Sequence, residues 1–149
     1  MKVGKIIAWM GLGFAVLLSA GCLSNHGGSS SLAYREIKNA DPEVVHNSTI
    51  RVFRENYYKL EGDDGAGTLV FMREATQRDQ LRWARYGEEG VFMRVDVKIE
   101  PLVDNILLRA DAYIVRPRGA EQITFSGRRP YRSLLKKVDK AVKKEMKKK

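Results

Sequence analysis

Residues 93 to 100 alternate strictly between apolar and charged side chains. The apolar positions are Met93, Val95, Val97 and Ile99, and the charged positions are Arg94, Asp96, Lys98 and Glu100. Successive side chains of a β-strand point to opposite faces, so this period of two predicts a strand with one apolar and one charged face. Antiparallel sheets commonly pack one face on a core and leave the other in water. The segment therefore predicts the central strand of an antiparallel sheet.

The next apolar segment, Ile106 to Arg116, is predicted to pair with this strand as a hairpin. Asp104-Asn105 has the composition of a two-residue turn. With that turn the numbers of paired residues sum to 209, so that Glu100 faces Arg109 and Lys98 faces Asp111. Three apolar pairs agree with this register: Val95 with Ile114, Val97 with Ala112 and Ile99 with Ala110. Cross-strand pairing thus accounts for the charged face without a ligand.

Two helices are predicted, one on each side of these strands in the sequence. The first begins at Asp41-Pro42-Glu43, with Asp41 as the N-cap and Pro42 in the first turn. Its buried face is expected to hold four residues at helical spacing, namely His46, Ile50, Phe53 and Tyr57. The second follows Gly127-Arg128-Arg129-Pro130, and its apolar stripe is formed by Leu134, Leu135, Val138, Val142 and Met146.

Shorter segments complete the predicted fold. Residues 57–61 and 68–74 are expected to form a hairpin around a glycine-rich loop, and residues 122–125 a last short strand. Residues 75–86 form either a short helix capped by Thr76 or an ordered loop, in which Trp83 and Tyr86 are a lid over the sheet or an exposed aromatic platform. The predicted class is α+β: an antiparallel sheet of about five strands with an N-terminal and a C-terminal helix packed on one face.

The N-terminus has the layout of a secretory signal. Lys2 and Lys5 precede an uncharged apolar run from Ile6 to Ala20 that ends in small residues. As a helix this run would span roughly 22 Å, which is short of the ~30 Å hydrocarbon core of a bilayer. A cleaved signal is therefore favoured over a permanent membrane span.

The end of that run, Leu18-Ser19-Ala20-Gly21-Cys22, resembles the lipobox of bacterial lipoproteins. The resemblance implies cleavage between Gly21 and Cys22 and attachment of a diacylglyceryl group to Cys22, with further acylation such as palmitate. It implies no disulfide, because Cys22 is the only cysteine. Two segments of the body, Val70 to Arg73 and Arg129 to Leu135, also resemble small bacterial lipoproteins of unknown function.

The resemblance further implies a place in the cell and a division of the chain. A lipid-anchored protein of this kind lies on the cell membrane or the outer membrane and faces the periplasm; Leu23, which is not Asp, favours the outer membrane in enteric-type bacteria. The predicted parts are a signal peptide (1–21), a lipidated cysteine with a flexible tether (22–31), one α+β domain (32–142) and a basic C-terminal tail (143–149).

The positive charge is concentrated at the C-terminus. The net charge is +9, and residues 132–149 hold nine basic against two acidic side chains, whereas residues 22–131 are balanced. Such a distribution does not indicate a nucleic-acid-binding face. The tail lysines Lys143, Lys144, Lys147, Lys148 and Lys149 either complement the helix dipole or contact anionic lipid headgroups or another envelope polyanion.

No catalytic site, metal site or cofactor is predicted. The two histidines are His26, in the tether, and His46, interpreted as a core or boundary residue. Asp63-Asp64 is interpreted as a solvated turn because the calcium-loop spacing is missing. Arg128-Arg129 is either an anion site at a helix start or a pair of surface arginines. The favoured function is a non-catalytic structural or interaction module without an identified protein partner. The alternative is a binder or carrier of a lipid or anionic ligand.

Overall fold

The structure is a computed structural model, and it describes residues 31–83 and 90–148. The predicted signal, most of the tether, Tyr86 and Lys149 lie outside those ranges. Six β-strands and three α-helices follow one another along the described chain, with a 3-10 turn at Phe125–Gly127 before the last helix: β1 Ala33–Lys38, α1 Pro42–Glu55, β2 Lys59–Asp63, β3 Thr68–Glu74, α2 Gln77–Trp83, β4 Phe92–Pro101, β5 Asn105–Arg116, β6 Gly119–Gln122 and α3 Arg129–Met146.

The strands form one antiparallel sheet in the order β1-β5-β4-β3-β2, and β6 also pairs with β5. The long strand β5 takes β1 along residues 105–110 and β6 along residues 113–116. Helices α1 and α3 contact each other and pack on the sheet. The predicted α+β class, with a helix from each end of the domain on one face of an antiparallel sheet, is confirmed.

The alternating segment forms β4 as predicted, and its apolar side faces the core. Met93, Val95, Val97 and Ile99 are buried there. Beneath α1, Phe53 stacks on Phe71 with ring centroids 4.3 Å apart and meets the edge of Tyr58 at 5.4 Å. These aromatic rings fill the space between α1 and the sheet.

The predicted register of β4 and β5 is wrong by two residues. Paired residues sum to 207, because Pro101 pairs with Ile106 and the backbone N–H of Leu102 donates to the carbonyl of Asn105 at 2.7 Å. The turn is therefore centred one residue earlier than Asp104-Asn105. Since a shift of two keeps every side chain on its face, the predicted inside and outside remain correct.

The new register changes which charges face each other. Lys98 lies opposite Arg109 and Asp96 opposite Asp111, so like charges are paired directly. Opposite charges pair diagonally between the strands or along one strand. Arg109 of β5 lies 3.1 Å from Glu100 of β4, and Arg94 lies 2.7 Å from Asp96 within β4. The predicted pair of Glu100 with Arg109 thus forms, although the two residues are not directly opposite each other. The predicted pair of Lys98 with Asp111 does not, because Asp111 accepts a hydrogen bond from the backbone N–H of Leu32 at 2.9 Å.

Helix α1 begins as predicted, but its buried face is different. Asp41 accepts a hydrogen bond from the backbone N–H of Glu43 at 2.8 Å. The buried residues are Val45, Ser48, Thr49, Val52 and Phe53. Of the four residues predicted for this face, Phe53 is buried, His46 and Ile50 are partly buried, and Tyr57 is exposed. The stripe differs because it includes two polar residues; the Thr49 hydroxyl donates to the carbonyl of Val45 at 2.7 Å and so is satisfied inside the helix.

Two strands differ from prediction at the edge of the sheet. Strand β1 was not predicted, and β6 covers Gly119–Gln122 instead of residues 122–125. Pro117-Arg118 makes a tight turn followed by Gly119 at φ 138°, so the chain folds back on β5 directly. The 75–86 segment contains a short helix whose start is capped by Thr76 and Asp79, and Trp83 packs against the core.

Tyr57 ends α1 in a conformation that suits glycine. Its φ is +68° and its side chain is 87% exposed. A side chain is disfavoured in this left-handed region, and the residue just after a helix is commonly Gly. We expect Tyr57→Gly to raise the free energy of unfolding by roughly 0.5–1 kcal/mol in urea unfolding. Tyr57→Ala removes the ring but keeps the unfavourable Cβ, so stabilisation by alanine as well would contradict the backbone explanation.

Candidate functional site: the basic face of the C-terminal helix

Two groups of basic residues lie at opposite ends of helix α3, with Lys137 and Lys140 between them. Its first two turns, together with β1, form what we call the arginine cluster: Arg35, Arg128, Arg129, Arg132 and Lys136. Its last turn and the residues just after Met146 carry the lysine segment: Lys143, Lys144, Lys147 and Lys148. Residues 129, 132 and 136 follow the i, i+3, i+7 spacing of one helix face. The chain fold brings Arg35 to them from the first strand.

The arginine cluster lines two adjoining surface cavities. One, of about 560 Å³, is bordered by all five cluster residues together with Tyr34 and Ser133. The other, of about 530 Å³, shares Arg35, Arg128 and Arg132 with the first and extends along residues 31–36. The first cavity has no acidic lining residue among the described residues, and the second has one, Glu36. Glu36 accepts a hydrogen bond from Asn105 at 2.6 Å.

A buried carboxylate holds α3 against β1 next to this cluster. Asp139 is 2% exposed and accepts hydrogen bonds from the Arg35 guanidinium, its Nε at 3.1 Å, and from Lys143 at 3.2 Å. Burial alone would raise the pKa of Asp139, but the hydrogen bonds and charges of Lys143 and Arg35 outweigh it and leave the pKa below its usual value. Asp139 therefore stays ionised and fixes the position of Arg35.

The lysine segment is partly neutralised by its own helix. Lys143 lies 2.9 Å from Asp139, and Lys148 lies 3.4 Å from Glu145. Glu145 also binds Arg51 of α1 at 2.9 Å. The helix runs to Met146, so residues 143–146 of the predicted tail are helical. Within residues 31–83 and 90–148, Arg129, Arg132 and Lys136 lie in no ion pair with a carboxylate, and of the lysine segment the same holds for Lys144 and Lys147.

The other candidates from the sequence lie elsewhere in the fold. His46 is a boundary residue, as interpreted, and its Nε2 lies 2.9 Å from Asp63. The loop N–H groups of Gly65, Ala66 and Thr68 donate to Asp63 and Asp64, which makes the segment a structured turn. The hydrogen bond from Gly65, then that from His46, lowers the pKa of Asp63. In the described part of the chain no group of three or more acidic, His or Cys residues is placed to hold a metal.

Gly21, Cys22 and Lys149 lie outside the described residues, so the predicted cleavage and lipidation site has no structural description. Among residues 31–83 and 90–148, no helix has the length and apolar character needed to cross a bilayer.

Sequence reasoning found only part of the arginine cluster. It considered Arg128-Arg129 as a possible anion site, with a pair of surface arginines as the alternative. The helical spacing of residues 129, 132 and 136 could have added Arg132 and Lys136 to that site. Arg35 gave no such signal, because strand β1 brings it to α3 from 104 residues away in sequence.

No protein-family model matches the chain, and no curated protein matches it either.

Proposed function

We propose that this chain is a lipid-anchored protein of the bacterial cell envelope that acts as a non-catalytic interaction module. The observation that carries the proposal is Ser19-Ala20-Gly21-Cys22 at the end of an uncharged apolar run preceded by two lysines. The anchor is the lipidated Cys22, on the cell membrane or the outer membrane, and the folded domain faces the periplasm. The lipidated cysteine lies nine residues before Ser31, a half-exposed residue just before β1.

An interaction module is favoured over a carrier by the packing beneath the helices. A carrier of the kind predicted would hold its ligand in a cleft between helix and sheet. Between α1 and the sheet, Phe53, Phe71 and Tyr58 are buried and in ring contact. The basic residues instead lie on the outside of α3, where they are available to an anionic surface.

The anchor is tested by metabolic labelling with an alkyne fatty acid in the native host. We expect the chain to take up the label and to stay in the membrane fraction after a high-salt wash, because an acyl anchor does not depend on charge. Cys22→Ser should remove the label completely, while Ser24→Ala, two residues away, should leave it unchanged. Equal labelling of Cys22→Ser and the parent chain would contradict the proposal.

A further inference from the structure

We propose that the arginine cluster binds the phosphate groups of anionic phospholipids and holds the folded domain against the bilayer. This inference rests on the proposed lipid anchor at Cys22. It places the main membrane contact on the first turns of α3 and on β1, at the opposite end of the helix from the lysine segment.

Three residues of the cluster carry charge that is available to a ligand. Arg129, Arg132 and Lys136 project from one helix face, are exposed, and pair with no carboxylate among the described residues. In the lysine segment, Lys143 is held by Asp139 and Lys148 by Glu145, and only Lys144 and Lys147 among its described residues pair with no carboxylate. An anion approaching Arg129, Arg132 and Lys136 therefore meets side chains that need not first leave a carboxylate.

The residue types suit a phosphate at a membrane surface. Arginine guanidinium groups match phosphate oxygens bidentately, which a lysine ammonium cannot do. Tyr34 borders both cavities and is 65% exposed. Tyrosine is enriched at bilayer interfaces, where its ring lies among the headgroups. The cavities thus combine phosphate-binding cations with an aromatic residue typical of the interfacial layer.

The path of the chain brings this surface to the membrane. Ser31 lines the same cavity as Arg128 and Arg132. Cys22 is nine residues earlier, so it lies within about 32 Å of Ser31 even at the full extension that a chain of this length allows. The lysine segment begins about 16 Å farther along α3 than Arg132, at ~1.5 Å per residue. Of the two basic groups, the arginine cluster is thus the one next to the anchored end.

The test compares two variants that lose the same charge from the two ends of α3. One is Arg129→Gln/Arg132→Gln/Lys136→Gln, and the other is Lys144→Gln/Lys147→Gln/Lys148→Gln. The full chain, purified from its native membrane, carries a fluorescent donor on Ser133→Cys or, in a second series, on Met146→Cys. It is reconstituted into vesicles of phosphatidylcholine with or without phosphatidylglycerol that hold a headgroup-labelled acceptor, and energy transfer reports docking.

We expect phosphatidylglycerol to raise energy transfer from position 133 more than from position 146, and added salt to reverse the rise. At ~1 kcal/mol for each basic residue near an anionic surface, the arginine variant should lower the docked-to-undocked ratio on the order of 100-fold. The lysine variant should leave energy transfer from position 133 nearly unchanged. An equal loss in both variants, or a loss only in the lysine variant, would overturn the proposal.

Further measurements distinguish lipid phosphate from soluble phosphate as the ligand, and a lipidated Cys22 from a free one. Loss of docking in millimolar inorganic phosphate at constant ionic strength would overturn the lipid assignment in favour of a soluble phosphate ligand. Two fluorescent labels on one chain would show that the Cys22 thiol is free and would overturn the anchor. In that case, flotation of the unlipidated chain and its variants with the same vesicles would test whether the arginine cluster binds anionic lipid. If thermal unfolding shows the arginine variant to be destabilised, Arg129→Gln/Arg132→Gln is compared with Lys144→Gln/Lys147→Gln.

Discussion

Replacing Phe53 with alanine is expected to lower the free energy of unfolding by about 3–5 kcal/mol. The side chain is fully buried, stacks on Phe71 at 4.3 Å and meets the edge of Tyr58 at 5.4 Å. Its removal leaves a cavity beneath α1 and also deletes two aromatic contacts. Because domains of this size have a net stability of only about 5–15 kcal/mol, the variant should unfold at a much lower urea concentration.

Tyr57→Ala is the matched control for this prediction. It removes an aromatic ring of the same size, with a hydroxyl, from the end of the same helix, but Tyr57 is 87% exposed. We expect a small change in stability there. A loss for Phe53→Ala no larger than that for Tyr57→Ala would show that the aromatic rings do not form the core described here.

Asp139→Asn is expected to cost about 1.5–3 kcal/mol near neutral pH, because it removes the charge-assisted hydrogen bonds from Arg35 and Lys143 while keeping the shape of the side chain. The carboxylate is buried between α3 and β1, so water does not replace those bonds. Glu145→Gln removes the same charge from a more exposed position in the same helix. We expect that control to lose much less stability.

The loss at Asp139 should also depend on pH in a defined direction. The pKa of Asp139 is lower in the folded chain than in the unfolded chain, so the unfolded chain binds the proton first as pH falls. The stabilisation is complete well above the unfolded pKa of about 3.9, and it is lost progressively as pH falls from that value through the lower pKa of the folded chain. Urea unfolding should give a constant difference between the parent chain and Asp139→Asn from pH 5 to 7, and a shrinking one below about pH 4. A difference that grows on acidification would contradict the ion-pair assignment.

The predictable parts of the fold were those in which one local pattern decides the outcome. The alternation through Met93 to Glu100 defines a half-buried strand, and Asp41-Pro42 defines a helix start, whatever the rest of the chain does. The register of β4 and β5 was not decided in this way. Charge pairing favoured a sum of 209, whereas the backbone turn at Leu102 to Asn105 sets 207.

The unpredicted parts depend on contacts between distant segments. Strand β1 has only a weak pattern of its own, since Arg35 lies on its core-facing side, where an apolar residue would be expected. Its position is explained by Asp139, which lies in the last helix and receives the Arg35 guanidinium. The arginine cluster is assembled by the same contact, so only its helical members were accessible to sequence reasoning.

The most direct test of the lipid anchor is the intact mass of the protein purified from its native membrane, measured beside Cys22→Ser. We expect a chain that begins at Cys22 and carries added acyl mass, and a Cys22→Ser product without that mass. Such a result would establish the anchor from which the docking of the arginine cluster was inferred. An unmodified chain that retains residues 1–21 would contradict the account, and a single membrane-spanning anchor would take its place.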